Sequence, residues 1–339
     1  MQRDRIALEE IASRQNLVLA TWKAARGKRE RPAIARFLAS LDGNLNRLAD
    51  EILSGRSPRG RARLFTIRDP KPRLITAACF ADRVLHHAIL NLAEPRFERT
   101  LVDSTFACRP DKGVHVAVAH VQAQLRRSGA WPWLVQIDIE RYFPSIDHAV
   151  LRDLLARRFK GAPFLALLGR IIDAGSSPVS GRGLPIGSLT SQHFANAYLD
   201  GADRFLLEHQ AVRAHARYMD DIVWWCPTLA AARESLAAVD KYLVHERRLS
   251  IKPTVHVGRS ERGLQFCGFR IRAGVVLASS RKMKRYRAAC QRVELAWERG
   301  KFAELDAQRA HDNVLATLHG TESSGFRRRL HAERGNDED

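Results

Sequence analysis

Ala216-Arg217-Tyr218-Met219-Asp220-Asp221-Ile222-Val223-Trp224-Trp225-Cys226 decides how this chain is read: two apolar runs flank a tip that carries adjacent carboxylates. The pattern predicts strand, turn, strand. Tight hairpin turns are usually built from Gly or Asn, which tolerate positive φ, and Met-Asp-Asp offers neither. A turn that ignores local propensity is a candidate functional site. An isolated Asp-Asp pair would be read as an ordinary exposed acidic turn. This pair is not isolated.

About eighty residues upstream, Leu134-Val135-Gln136-Ile137-Asp138-Ile139-Glu140-Arg141-Tyr142-Phe143 sets one carboxylate into an apolar, β-branched run. Burying an unpaired carboxylate is costly, so Asp138 is expected to face a cation or strong donors. A strand bearing one Asp beside a hairpin bearing two is the arrangement that two-metal phosphoryl transfer needs. Asp138, Asp220 and Asp221 are therefore the candidate catalytic and metal-ligating residues. One ion would lower the pKa of a 3′-hydroxyl and the other neutralise departing pyrophosphate, the two lying ~4 Å apart. Hard oxygen ligands select Mg²⁺, with Mn²⁺ as the alternative, over Zn²⁺. Glu140 shares a strand face with Asp138 by i, i+2 spacing and is a candidate outer group.

Composition points the same way. The chain of 339 residues has 56 Lys and Arg against 37 Asp and Glu, a net charge of +19, and is 45% hydrophobic. That balance describes a globular protein with a polyanionic partner, nucleic acid rather than membrane. No apolar run approaches the ~20 residues of a membrane span. The N-terminus Met1-Gln2-Arg3-Asp4-Arg5 has no signal-peptide pattern, so a cytoplasmic protein is expected. The five cysteines are scattered without C-x-x-C or zinc-finger spacing, and are read as reduced thiols packed as small hydrophobes. His86-His87 is read as a helical pair, not as metal ligands.

Residues 1 to about 55 read as helical, ending in the basic turn Gly55 to Arg63, which is either a solvated face or a phosphate contact. Leu64–Ile67 and Arg73–Thr76 read as two short strands joined by Arg68-Asp69-Pro70-Lys71-Pro72, a hairpin rimmed by cations. Helices are expected over Ala81–Leu92 and Val114–Arg127. Between them Phe106 to Gly113 places Arg109 and Lys112 before a helix N-terminus, a setting that suits phosphate. Asp147 reads as the N-cap of a helix from His148 to Phe159. The Gly/Pro loop Gly181 to Ser188 leads into a helix over Leu189–Leu207 and permits close backbone approach to a ligand. Leu264 to Ile271 reads as one strand, and residues 280–339 as a basic helical segment with a charged tail.

In order, Asp138 in a strand, Leu184-Pro185-Ile186-Gly187 with Ser191-Gln192, Tyr218-Met219-Asp220-Asp221 and Phe266-Cys267-Gly268-Phe269 resemble the motifs of a reverse transcriptase. Ile186-Gly187-Ser188-Leu189-Thr190-Ser191-Gln192, with Ala107 to His115, resembles the phage-borne enzymes of diversity-generating retroelements. The match runs from about Arg63 to Ile271. The resemblance implies an α/β (α+β) right-hand polymerase, with N-terminal helices and fingers over 1–130, a palm over 131–275 with a fingers-side insertion at about 148–185, and a short basic helical thumb over 276–339.

It further implies a template RNA, a cDNA primer strand and dNTPs as partners, copying errors concentrated at template adenines, and a small oligomeric accessory variability protein. The backbone carbonyl of Ile139 would join the three aspartates at the ions. Phe143 would exclude a 2′-hydroxyl. Arg73, Ile186, Gly187 and Gln192 would surround the incoming nucleotide. Lys71, Arg109 and Lys112 would meet triphosphate or template backbone, and Tyr218, Met219 and Gly268 would meet nucleic acid. One departure stands out: many relatives carry a Lys just after the Pro of the motif that follows the hairpin, where this chain has Lys252-Pro253-Thr254. Lys252 is either the general acid for pyrophosphate or a solvated lysine. A group II intron-like enzyme, a defence-associated enzyme and a non-catalytic RNA-binding scaffold are the alternatives. The scaffold would be expected to lack one of the three aspartates, and all are present.

Overall fold

The computed structural model describes residues 3–60, 62–68, 72–174 and 180–335, with side chains to 330. Two compact units interleave along the chain. The first comprises Met1–Cys108, Asp138–Leu206 and Ala237–Pro253, and the second Arg109–Ile137, Leu207–Leu236 and Thr254–Asp339. Among the described residues no helix is long and apolar enough to cross a membrane.

The first unit is mainly helical. Arg14–Ala25 packs on the long helix Phe80–Thr100, with Leu41–Leu53 against the same group. The buried Asn16 amide donates to the carbonyls of Ile11 and Ala88, both at 3.0 Å, satisfying a polar group that would otherwise be stranded. Phe80–Thr100 runs eight residues beyond the expected end at Leu92, straight through Pro95. A proline inside a helix is worth about 3 kcal/mol against it. Tertiary packing overrides that cost, because Phe97 is buried edge-to-face on Phe159 at 5.4 Å and Thr100 and Arg96 are buried beside it. The hairpin Ala62–Arg68 with Pro72–Ala78 pairs antiparallel over its whole length and leaves Leu64, Phe65, Ile67 and Leu74 exposed.

The second unit is built on a four-stranded sheet in the order Ala214–Tyr218, Asp221–Cys226, Trp133–Asp138, His256–Arg259. Ile222 to Cys226 are each 0% exposed, so the strand after the Asp-Asp tip is buried on both faces. Leu264 to Ile271, which the apolar pattern predicts as one strand, is instead a hairpin of Leu264–Phe266 and Phe269–Ile271. Its two-residue turn places Cys267 at φ 51° and Gly268 at φ 80°, the doubly left-handed geometry that matches strand twist. The buried residues shift from even to odd positions across this turn, Leu264 and Phe266 before it and Phe269 and Ile271 after. A single strand would not change phase. C-terminal to it, Ala278, Tyr286, Cys290, Leu318 and Leu330 form a small core among the helices Ser280–Glu298, Glu304–Ala316 and Ser324–Gly335. None of the five cysteines is in a disulfide.

Candidate active site

The Asp-Asp tip is a two-residue turn in which Tyr218 pairs with Asp221 and Met219 stands at φ 58°. A left-handed methionine is strained, at a cost on the order of 1 kcal/mol, and such strain persists only where the surroundings hold it. Arg217, fully buried, donates from Nη1 to the Met219 carbonyl at 3.1 Å and is one such hold. Asp220 and Asp221 are half-buried at the mouth of a strand that is otherwise sealed.

Strand order makes Trp133–Asp138 the direct neighbour of Asp221–Cys226. Gln136 Nε2 donates to Asp221 Oδ1 at 2.8 Å and to the Gln265 carbonyl at 2.8 Å. Alternation along a strand puts Asp138, two residues on, on the same face as Gln136. The Cys267-Gly268 turn stands beside the tip as well: burial pushes the Cys267 thiol up, and the Asp221 carboxylate pushes it further.

Asp138 ends its strand. The Lys252 amide donates to the Asp138 carbonyl at 2.8 Å, Ile139 bridges Ile251, and the Glu140 amide donates to the Ser250 carbonyl at 2.9 Å. This register brings Lys252 to Asp138, with Nζ 2.5 Å from Oδ1. The lysine before the proline is thus an ion-pair partner of the strand aspartate, a placement that spacing along the chain does not disclose. Asp138 Oδ1 is nevertheless buried without a hydrogen bond, so the pair is one of charge rather than of donor geometry. Asp138 Oδ1 thus already faces one cation, the Lys252 ammonium. Among the described residues no three carboxylate, His or Cys side chains close on one point.

Glu140 does not continue the strand face. The chain leaves extended geometry after Asp138, Arg141 turns left-handed at φ 46°, and the short helix Tyr142–Ser145 follows, leaving Glu140 exposed. Phe143 is half-buried, its ring edge-to-face with Tyr142 at 5.7 Å, and its carbonyl accepts the Leu184 amide at 2.9 Å. The Gly/Pro loop is fastened to the exposed hairpin by the Thr76 amide, which donates to the Ile186 carbonyl at 2.9 Å. Gly187 sits at φ +105°, where a Cβ would lie 3.2 Å from Ile75 Cγ2 and 3.3 Å from the Thr76 carbonyl oxygen. Only glycine allows this approach. Ile186 is half-buried, Arg73 is exposed, and Gln192 is half-buried on the helix Leu189–Glu208.

Lys71 lies outside the described residues. Arg109 is buried and Lys112 half-buried, in a loop where Cys108 and Asp111 are both left-handed. Asp147 is an N-cap, accepting from the amides of Ala149 and Val150 at 3.0 and 3.2 Å, with Arg248 on its other oxygen at 2.9 Å. Burial opposes its charge, but Arg248 and these amides together hold its carboxyl below the usual range.

His86, which the sequence marks only as one of a helical pair, supports the Gly/Pro loop. His86 is buried, with Nδ1 3.0 Å from Thr190 Oγ1, and Ser188 Oγ lies 3.2 Å from the same hydroxyl. Burial, then the neighbouring His87, push its pKa down to about 4. The folded value lies below the ~6.5 of an unfolded histidine, so its contribution is complete above pH ~6.5. It is lost as pH falls toward 4, by about 1.4 kcal/mol per pH unit. Urea unfolding at pH 7 and pH 5 is expected to show a smaller loss for His86→Gln than for the parent protein. Equal losses would mean that His86 is not the titrating group.

The sequence of residues 67–271 matches the family model for reverse transcriptase (RNA-dependent DNA polymerase). The chain is 30% identical over 179 residues to Protein YkfC of Escherichia coli strain K12, covering 50% of this chain and 47% of that protein. It is 27% identical over 143 residues to the group II intron-encoded protein LtrA of Lactococcus lactis subsp. cremoris, covering 41% of this chain and 23% of that protein. It thus spans less than half the length of each. A structure of apo telomerase from Candida tropicalis, truncated from the C-terminal domain, aligns with a TM-score of 0.48 and 10% identity over 69% of this chain and 60% of that one. With its family model matched over more than half its length, the chain belongs to the reverse transcriptase family.

Proposed function

We propose that the chain is an RNA-directed DNA polymerase of the group II intron-like type, extending a DNA primer on an RNA template. The observation that carries this is the strand pair in which Gln136 Nε2 donates to Asp221 at 2.8 Å, directly beside the tip that a left-handed Met219 forces into shape. Asp138, Asp220 and Asp221, with the Ile139 carbonyl, would hold Mg²⁺. Bound ions would supply charge neutralisation at the 3′-hydroxyl and the leaving pyrophosphate. The protein's own part is positional. Phe143 and the loop Ile186-Gly187 shape the sugar and base pocket, Gln192 and Arg73 border it, and Lys252 serves as proton donor to departing pyrophosphate. Residues 1–130 serve as N-terminal helices and fingers, 131–275 as palm, and 276–339 as thumb. Extension of a DNA primer annealed to RNA, with Mg²⁺ and dNTPs, tests the reading. Absence of any product with the purified protein overturns it.

A second, narrower reading is favoured by Ile186-Gly187-Ser188-Leu189-Thr190-Ser191-Gln192: an enzyme that copies a template-repeat RNA with errors at adenine, working with a small accessory protein. Ile186 cannot hydrogen-bond base or sugar, so the pocket judges the nascent pair by shape. A missing polar check lowers discrimination by about 1 kcal/mol or more. Ile186→Gln is therefore expected to reduce misincorporation opposite template adenine about fivefold or more while total synthesis falls less. Arg73→Ala should alter the same error spectrum. Sequencing of cDNA made on an adenine-rich template, with the accessory partner supplied, reads both. Accurate copying of adenine by the parent enzyme would remove this reading and leave the polymerase intact.

A further inference from the structure

The N-terminal strand Asp4–Arg5 pairs in parallel with Phe159–Lys160, setting Arg5 beside Lys160. Like charges on adjoining strands repel. These residues belong to a cleft of about 740 Å³ within the first unit, where Arg3, Arg5, Arg96, Arg99 and Lys160 meet only two acids, Asp4 and Glu10. Both acids have other duties. Glu10 Oε2 accepts the Ala7 amide at 2.7 Å, and Asp4 is shared between Arg96 Nη1 at 3.4 Å and Arg99.

Arg96 is the decisive residue. It is 5% exposed, yet Nε and Nη2 have no hydrogen-bond partner. Nε and Nη2 form one edge of the guanidinium fork, the edge that takes two oxygens of a single phosphate side-on. Burying that edge unsatisfied is costly, as is crowding like charges beside it, and one anion in the cleft relieves both. A second depression of about 600 Å³ shares Arg3 and adds Arg157 against one acid, Asp153, so cations continue past a single phosphate. No residue of either depression is among the catalytic or nucleotide-binding candidates.

We infer that this cleft binds the phosphate backbone of RNA, with Arg96 taking one phosphate bidentately and Arg3, Arg5 and Lys160 holding its neighbours. The inference shares the RNA ligand of the proposed function but not its chemistry. Binding of a fluorescein-labelled single-stranded RNA of about twelve nucleotides to the full chain, followed by anisotropy across a salt series, tests it. Arg3→Gln with Lys160→Gln, both at exposed positions, should weaken binding about tenfold and flatten the salt slope by about 0.7 for each phosphate no longer held. Arg96→Met should do the same. Arg233→Gln with Lys241→Gln, which removes two exposed cations from the helix Leu229–Arg247, should change binding much less.

Primer extension at saturating RNA should stay at the parent rate in the Arg3/Lys160 double variant. Unchanged affinity and slope in both cleft variants would overturn the cleft while leaving the polymerase reading standing. A protein that binds RNA through the cleft but extends no primer would do the reverse. Tripolyphosphate that raises the unfolding temperature of the parent but not of Arg96→Met, with RNA binding unaltered, would show a small polyphosphate as the occupant and overturn the RNA assignment.

Discussion

Asp138→Asn, Asp220→Asn and Asp221→Asn are each expected to abolish primer extension, by a thousandfold or more, while folding and RNA affinity stay close to those of the parent. A thousandfold corresponds to about 4 kcal/mol of lost transition-state stabilisation. The substitution isolates charge, because asparagine keeps the shape and one carbonyl oxygen. At Asp221 that oxygen can still accept from Gln136, whose amide holds the side chain at 2.8 Å. At Asp138 no hydrogen bond to Oδ1 is removed, because the buried oxygen makes none. What disappears is the negative charge facing Lys252 and the ability to neutralise a divalent ion. Extension with Mg²⁺ and thermal unfolding by circular dichroism, run on the same preparations, separate the two effects. Extension retained by the Asp220→Asn protein would sink the two-metal assignment.

Much of the candidate site is legible in the sequence because the residues concerned contradict their local context. A carboxylate inside an apolar run and a Met-Asp-Asp hairpin tip both cost free energy, and the chain carries both. The left-handed Met219 makes the second cost concrete. Lys252 is harder to read. Its relation to Asp138 follows from the register between residues 138–140 and 250–252, and register is a pairing of distant segments that spacing along the chain does not encode. The helix past Pro95 escapes a sequence reading because a strong local breaker is outweighed by burial of Phe97 and Thr100, which only the tertiary structure displays. The Cys267-Gly268 hairpin has a usable signal, the change of phase in the buried positions, that the continuous apolar run conceals. His86 gives no signal: a histidine pair on a helix reads the same whether it faces water or a threonine hydroxyl.

Affinity for RNA is expected to fall about three hundredfold or more between 50 and 200 mM salt, if six to ten phosphates are neutralised. Each neutralised phosphate releases condensed counterions and adds about −0.7 to −0.9 to the slope of log affinity on log salt. The physical ground is the net charge of +19 and its local crowding. The helix Ser280–Glu298 carries Arg281, Lys282, Lys284, Arg285, Arg287 and Arg292 with no acid before Glu294. Arg281, Lys284 and Arg285 are exposed, and Arg281 lies three and four residues from the other two, a spacing at which like charges destabilise a helix in water. The same crowding becomes favourable against a polyanion, so the surface is better matched to the bound state than to the free one. Lys284→Gln, three residues from both Arg281 and Arg287, should therefore lower the salt slope by about 0.7 for the phosphate no longer neutralised, while the isolated fold becomes no less stable. Equilibrium binding of one RNA at several salt concentrations, with unfolding measured alongside, checks both halves. A binding constant that holds steady from low to moderate salt would show that this charge serves some purpose other than gripping phosphate.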